Sequence, residues 1–308
     1  MKKTFKTLEE QIKILESRGL IINDYDKTYD ILFKENYFFI NGYRHFLVKT
    51  DCPNQFKEGA TFEELYSLFL FDRYLRNIMF KNILIVENNI KSIISYQLSK
   101  KYGYREHDYL NPKHFRQESF KLTQVNDILN KMKRQIRLNA KQHRATKHYI
   151  SNYGYIPMWV SVKVLSFGIM AELYSILKEE DQDEVASYYN ISSYELNIYL
   201  ALLSNYRNLC AHEDMLYDYQ TQRSIPDCKY HELLNIDKEY EEYVCGKNDF
   251  YAIIIIMKSM LSYDEFRNMM NEISYELERL SGLLHTTNIN EVKEKIGFPT
   301  NYRDIIDL

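Results

Sequence analysis

Along most of this chain apolar residues recur at intervals of three and four, the period of a helix with one buried face. Leu8, Ile12 and Leu15 keep that spacing within residues 4–19, and Gly19 stands where a helix would close in the left-handed conformation. A second short helix is expected over residues 26–34. Residues 36–44, which include Tyr37, Phe38, Phe39 and Tyr43, read equally as a strand or as the end of a buried helix, with their rings expected mainly in the core. Thr61 followed by Glu64 has the form of a capping box. It opens a stripe of Leu65, Leu68, Phe69, Asp72, Leu75, Met79, Ile83, Val86, Ile90, Ile94 and Leu98 that ends at Gly103. That pattern predicts a helix of about 40 residues, continuous or bent near residue 80.

Pro157 precedes residues 159–177, apolar nearly all round, which predicts one central buried helix in which Gly168 lets a neighbour approach. Ser192 or Ser193 caps a helix carrying Leu196, Leu200, Leu203 and Tyr206. Residues 250–284 hold a run of four isoleucines that would suit a strand, but Met257, Met260, Leu261, Ile273, Leu277 and Leu280 favour helix. The fold class read from this pattern is all-α. Its expected division is an amino-terminal extension over 1–58, a helical bundle over 59–285 with a basic insertion around 128–150, and a carboxy-terminal tail over 286–308.

Composition agrees with helix: only nine Gly and five Pro interrupt 308 residues, and 45% hydrophobic with 27% charged residues is the balance of a globular protein. The longest uncharged run, residues 149–162, is too short and too broken by Asn152, Gly154 and Pro157 to span a bilayer. Met1-Lys2-Lys3-Thr4 leads into a charged amphipathic segment, so no secretory signal and a cytoplasmic location are expected. In that compartment Cys52, Cys210, Cys228 and Cys245 are free thiols. Cys228, His231 and Cys245 lack a fourth zinc ligand, so no metal and no cofactor are expected. The 28 tyrosines suit base stacking, but a coding bias toward Tyr, Ile, Asn and Lys explains them as well.

Charge changes the picture more. Residues 128–171 contain no Asp or Glu, whereas Lys131, Lys133, Arg134, Arg137, Lys141, Arg144, Lys147 and Lys163 are all cationic. In a chain of net charge -3 this is a local basic face, fit to contact RNA phosphates or simply to be solvated.

Near the end of a predicted helix stands the one Arg-x-x-x-x-His of the chain, Arg207-Asn208-Leu209-Cys210-Ala211-His212. At about 100° per residue Asn208 and His212 lie roughly 100° and 140° from Arg207, so all three can border one cleft. Imidazole is a base or an acid near neutral pH, and guanidinium is a permanent cation suited to phosphate. Glu87 lies on the apolar stripe with Ile83, Ile90 and Ile94 and requires a partner, for which Arg207 is the candidate. The alternative is a purely structural Arg207–Glu87 pair with His212 favoured by the helix dipole. Asp72, Arg73 and Arg76 read as an intrahelical ion-pair set.

Arg207-Asn208-Leu209-Cys210-Ala211-His212 resembles the Arg-Asn-x-x-x-His signature of HEPN ribonucleases. The wider chain resembles the bacterial abortive-infection (Abi, AbiD/AbiF-like) family. The matching segments are Asn36-Tyr37 with Gly42-Tyr43-Arg44, Phe71-Asp72-Arg73-Tyr74-Leu75-Arg76, Val86-Glu87-Asn88-Asn89-Ile90-Lys91-Ser92, and Ile156-Pro157-Met158-Trp159 with Leu165-Ser166-Phe167-Gly168. The resemblance implies a HEPN-type helical bundle, phage-triggered RNA cleavage, and kinship with the nuclease domains of RNA-guided RNA-cleaving CRISPR effectors. It further implies RNA as substrate, in some relatives a bound small non-coding RNA, and catalytic roles for Arg207, Asn208 and His212 with Glu87 in support. Where the family pattern sets another basic residue soon after the histidine, this chain has Glu213-Asp214-Met215. One imidazole does not readily serve both proton transfers, so a homodimer is expected. A non-catalytic RNA-binding module and a protein-interaction subunit are the competing readings.

Overall fold

The computed structural model describes residues 4–308. It is about 65% helical, and the described residues hold fifteen α-helices and one two-stranded ribbon, an all-α bundle.

The chain begins with α1 (Leu8–Ser17), α2 (Tyr25–Glu35) and the short α3 (Tyr37–Asn41), which runs into a 3₁₀ turn at Gly42–Phe46. The spine is α4 (Phe62–Tyr102), 41 residues long, or about 62 Å at 1.5 Å per residue. Thr61 caps it through the Glu64 N–H, and Gly103, with a φ of 100° that a side chain would strain, ends it. Helices α5 (Glu106–Tyr109), α6 (Leu122–Asn139), α7 (Arg144–Tyr153) and α8 (Met158–Ser161) follow. Then come α9 (Phe167–Ile176), α10 (Glu179–Ser187) and α11 (Ser193–Ala211). The last part holds α12 (Lys229–Leu233), the ribbon β1 (Lys238–Glu239) with β2 (Glu242–Tyr243), α13 (Phe250–Met260), α14 (Tyr263–Ser281) and α15 (Ile289–Ile296).

Helices α11 and α14 pack along α4, and α9 packs between α6 and α11. Leu75, Met79, Ile83, Val86, Ile90 and Ile94 of α4 are fully buried in that core. Gly168 brings α9 against α11: a Cβ there would sit 3.3 Å from Ser204 Oγ. The segments before and after the spine are tied to the bundle. Tyr43 is buried against Phe69 of α4, and Tyr251 of α13 donates a 3.1 Å hydrogen bond to the Tyr302 carbonyl.

Four sequence expectations change. Residues 159–177 are not one helix: α8 passes through a 3₁₀ turn to an extended Leu165, and Ser166 then caps α9. Trp159, expected inside, is 47% exposed. Residues 250–284 are helical as expected, in two helices that meet at Leu261, where Ser262 and Glu265 form a capping box that starts α14. Glu64 makes no reciprocal cap. Its buried carboxylate instead accepts N–H bonds from His285, Thr286 and Thr287, because satisfying three loop amides outweighs one helix terminus. Finally, of the aromatic group after α2 only Tyr43 is core, while Phe38 and Phe39 face solvent.

Candidate active site

Ser192 and Glu195 form the capping box that starts α11, and Leu196, Leu200 and Leu203 hold the helix in the core. Its carboxyl end carries the Arg207-to-His212 motif. His212 is the C-cap, its N–H bonded to the Asn208 carbonyl at 3.0 Å. Glu213 then takes the left-handed position (φ 57°) usually filled by Gly, while Asp214 N–H reaches back to the Leu209 carbonyl at 3.1 Å. A non-glycine residue there costs about 1 kcal/mol or more, which the surroundings must offset.

Asp72 supplies that restraint. Its buried carboxylate accepts N–H bonds from Leu216 at 3.1 Å and Tyr217 at 2.9 Å, and the Tyr43 hydroxyl at 2.7 Å. Arg76 pairs with the same carboxylate and also donates to the Asp214 carbonyl at 3.3 Å. Burial pushes the Asp72 carboxyl up to about 6, opposed by Arg76, Tyr43 and the Leu216 N–H. Arg73 leaves the intrahelical set: it binds Glu35 at 2.8 Å and lies 3.8 Å from Glu213. The loop after His212 is thereby fixed from α2, the 3₁₀ turn after α3, and α4 together.

Arg207 points toward α4. Its Nε is 3.6 Å from Glu87 Oε2, its guanidinium lies 5.6 Å from the centre of the Phe80 ring, and Nη1 is 3.5 Å from Asn208 Oδ1. Glu87 is claimed more closely by Lys91, at 2.6 Å. The expected Glu87–Arg207 pair therefore exists, but as a loose contact shared with a second cation. His212 is exposed, and its imidazole has no hydrogen-bond partner among the described residues, Asn208 included.

Asn208 and His212 line a cleft of about 1020 Å³ between α9 and α11. Arg207 is outside this lining, since Glu87 and Phe80 hold it on the α4 side. The helical projection that let all three border one cleft is corrected to two, with Arg207 on the shoulder. Cations that do line the cleft are Lys121 and Arg223, joined by the amides of Gln124, Asn205 and Gln222. Sequence reading missed Gln222 and Arg223 because residues 213–228 carry no regular period, and Lys121, Gln124 and Asn205 because they are ordinary polar positions at or on α6 and α11 that only the packing brings together. Asp72 is legible in the sequence as a carboxylate on the apolar stripe of α4.

The family model described as Abi-like protein matches residues 30–218 of the chain. The chain belongs to the Abi-like family. Abortive infection is the function that membership suggests. The matched span runs from α2 to the residue after Tyr217, so it contains the whole Asp72 tie and the motif it steadies. No curated protein and no solved structure matches the chain.

In this Abi-like chain the acid-free segment runs from within α6 through α7 and α8 to the start of α9. Lys131 is bound to Glu172 at 2.8 Å and Lys163 to Asn88 at 3.0 Å. Arg134, Arg137, Lys141, Arg144 and Lys147 are exposed and have no ion-pair partner among the described residues, while Lys133 is half-buried. His231 accepts the Cys228 N–H at Nδ1 (3.1 Å) and donates from Nε2 to the Gly246 carbonyl (2.8 Å), which occupies both nitrogens. Burial pushes the thiol of Cys245 up to about 12 and that of Cys228 upward. No described helix is long and apolar enough to cross a membrane.

Proposed function

We propose that this Abi-like protein is a HEPN-type endoribonuclease of anti-phage defence, acting on RNA in the cytoplasm without a metal ion. The observation that carries this reading is His212: an exposed imidazole with both nitrogens open, set by a pinned loop on the wall of a cleft beside Asn208. The resemblance to HEPN ribonucleases, and through them to RNA-guided RNA-cleaving CRISPR effectors, rests on the same residues.

RNA brings its own nucleophile. The 2′-oxygen forms a bond to phosphorus as the bond to the 5′-oxygen breaks; the 2′-OH proton passes to a base and the leaving 5′-oxygen takes one from an acid. His212 serves one transfer and the His212 of a second copy the other, which is why a homodimer belongs to the proposal. Asn208 contacts phosphate through its amide. Arg207, with a donor still open at Nε, neutralises the charge that builds on the phosphoryl oxygens. A bound small non-coding RNA would lie along the free cations of α6 and α7.

A second reading, a non-catalytic RNA-binding module, is favoured by one observation: Arg207 lies outside the cleft that His212 lines. One experiment separates the two. Purified protein is incubated with single-stranded RNA in EDTA. Catalysis yields 2′,3′-cyclic phosphate and 5′-hydroxyl ends, stops with a 2′-deoxy sugar at the cut site, and falls about 10² to 10⁴-fold in His212→Ala with fold and RNA affinity retained. Cleavage that survives His212→Ala, or that EDTA abolishes, refutes the assignment.

A further inference from the structure

At the far end of α4 from Phe62, the connection from α7 to α8 folds back over the start of α5 and leaves several rings on the surface. Tyr153 is 58% exposed, Trp159 47% and Tyr104 38%. Their centres follow one another at short range: Tyr153 to Tyr155 at 6.4 Å, Tyr155 to Tyr104 at 5.7 Å, and Tyr104 to Trp159 at 5.5 Å. The guanidinium of Arg105 sits 5.0 Å from the Tyr155 ring centre, exposed and without an ion-pair partner among the described residues.

This surface is held rigid. Gly154, in the left-handed conformation (φ 77°), ends α7 and turns the chain back. Ile156 N–H then donates to the Glu106 carboxylate at 2.7 Å, Tyr109 hydroxyl to the Ile156 carbonyl at 3.0 Å, and Met158 N–H to the Tyr104 carbonyl at 3.1 Å. Glu106 and Asp108 are the nearby acids: that bond engages Glu106, and Asp108 accepts the Arg105 N–H at 3.2 Å and lies 3.1 Å from the His107 imidazole.

We propose that Tyr153, Tyr155, Tyr104 and Trp159, with Arg105, form a platform on which the bases of single-stranded RNA stack. The inference rests on the RNA-directed reading above and states where and how the strand is held. Exposed rings alone would suit many partners; charge selects this one. Three of the four rings belong to the acid-free segment, and the exposed Arg144 and Lys147 lie on the helix that delivers Tyr153. Aromatic faces beside a cationic track are what a single strand requires, since every base has a π-face and every linkage a charge. A duplex, whose bases are already stacked, gains nothing from the rings. The platform also stands apart from the motif: Tyr102 is fifteen residues beyond Glu87 on α4, or about 22 Å. It therefore grips the strand several nucleotides from the cut.

Trp159 is the sole tryptophan of the chain, so its fluorescence reports on this surface directly. The protein is titrated with an oligouridylate of about 12 nucleotides, fully 2′-O-methylated to prevent cleavage, with an abasic strand of equal length and with a duplex. The platform predicts quenching of Trp159 by the oligouridylate, affinity about tenfold or more above the abasic strand, and no quenching by the duplex. Tyr153→Ala should lose about tenfold in affinity and Tyr153→Phe should keep it, with circular dichroism unchanged in both. Equal binding of intact and abasic strands, without quenching, overturns the platform and leaves RNA binding through phosphates standing. Failure of every strand to bind overturns both.

Discussion

Nε of Arg207 stands 3.6 Å from Oε2 of Glu87, and each of these buried atoms lacks a hydrogen-bond partner. Two complementary groups are thus held just beyond bonding range, while Lys91 takes the other Glu87 oxygen at 2.6 Å. Turning the Arg207 guanidinium away from Glu87 would therefore cost no hydrogen bond at Nε, only the 3.5 Å one from Nη1 to Asn208 Oδ1. Glu87 in return holds two cations in place of one.

That arrangement predicts a large structural penalty for Glu87→Gln. Lys91, only 11% exposed at its side chain, would lose its counter-ion, whereas Arg207, about a third exposed, is partly relieved by water. Stability measured by urea denaturation should fall by about 3 kcal/mol. Replacing Lys91 by Met as well should restore most of it. A loss below about 1 kcal/mol in Glu87→Gln would assign the cluster no more weight than a surface pair.

Asp72 is the firmer test of how the motif is positioned. In Asp72→Asn the buried Arg76 loses its charge partner, and an amide N–H2 must face donors from Leu216, Tyr217 or Tyr43. A destabilisation of about 3 to 5 kcal/mol is expected. Tyr43→Phe, which removes one donor, should cost about 1 kcal/mol. Hydrogen exchange should quicken first at the amides of Leu216 and Tyr217. Unchanged protection at those two amides in Asp72→Asn would mean that the loop after His212 is held by something else.

The difference between what was legible and what was not follows from range. Thr61, Ser192, Gly19 and Gly103 act within one turn of their helices, and each marks a terminus where the pattern puts it. The Glu87–Arg207 contact was readable because a carboxylate on an apolar stripe must find a cation. Asp72 sent the same signal, but Arg76 four residues on offered a local answer that concealed Leu216 and Tyr217, over 140 residues away. Glu64 misled in the same way. The break at Leu165 was hidden by apolar residues all round, which erase the period on which a helix boundary depends; Ser166 and Ser262, both N-caps, were the overlooked signs.

Stability should also depend on pH through His231. The imidazole is fully buried, and with a backbone N–H donating to Nδ1 and Nε2 donating to a carbonyl it has no place for a second proton. Burial lowers its pKa below the ordinary 6.5, while the bond to the Gly246 carbonyl acts the other way. Below about pH 6.5 the unfolded chain takes up a proton that the folded chain refuses, so this contribution to stability is intact above that pH and lost as pH falls through it. His231→Gln should flatten the stability slope between about pH 7.5 and 6. Asp72 and Asp249, whose carboxyls burial pushes up to about 6, contribute with opposite sign but are present in both proteins and cancel in the comparison. Identical slopes would mean that His231 takes up its proton alike in the folded and the unfolded chain.

The last prediction concerns α6 and α7. Of the eight cations in the acid-free segment, Lys131 and Lys163 are engaged by Glu172 and Asn88, and Lys133 is half-buried. Arg134, Arg137, Lys141 and Lys147 are four of the five exposed cations with no ion-pair partner among the described residues, Arg144 being the fifth. Each phosphate they neutralise releases counter-ions, so affinity for a single strand should fall with salt by a log–log slope of about -0.7 per phosphate. Changing all four to Gln should make that slope shallower by about 3 and weaken binding most at low salt. Lys131→Gln alone should change little, since Glu172 already claims that charge. Filter binding of a 2′-O-methyl RNA across a salt series reads both quantities. If the fourfold variant keeps the slope of the parent while Lys131→Gln reduces it, the phosphates lie against the Glu172 side of α6, and the free cations are only its solvated face.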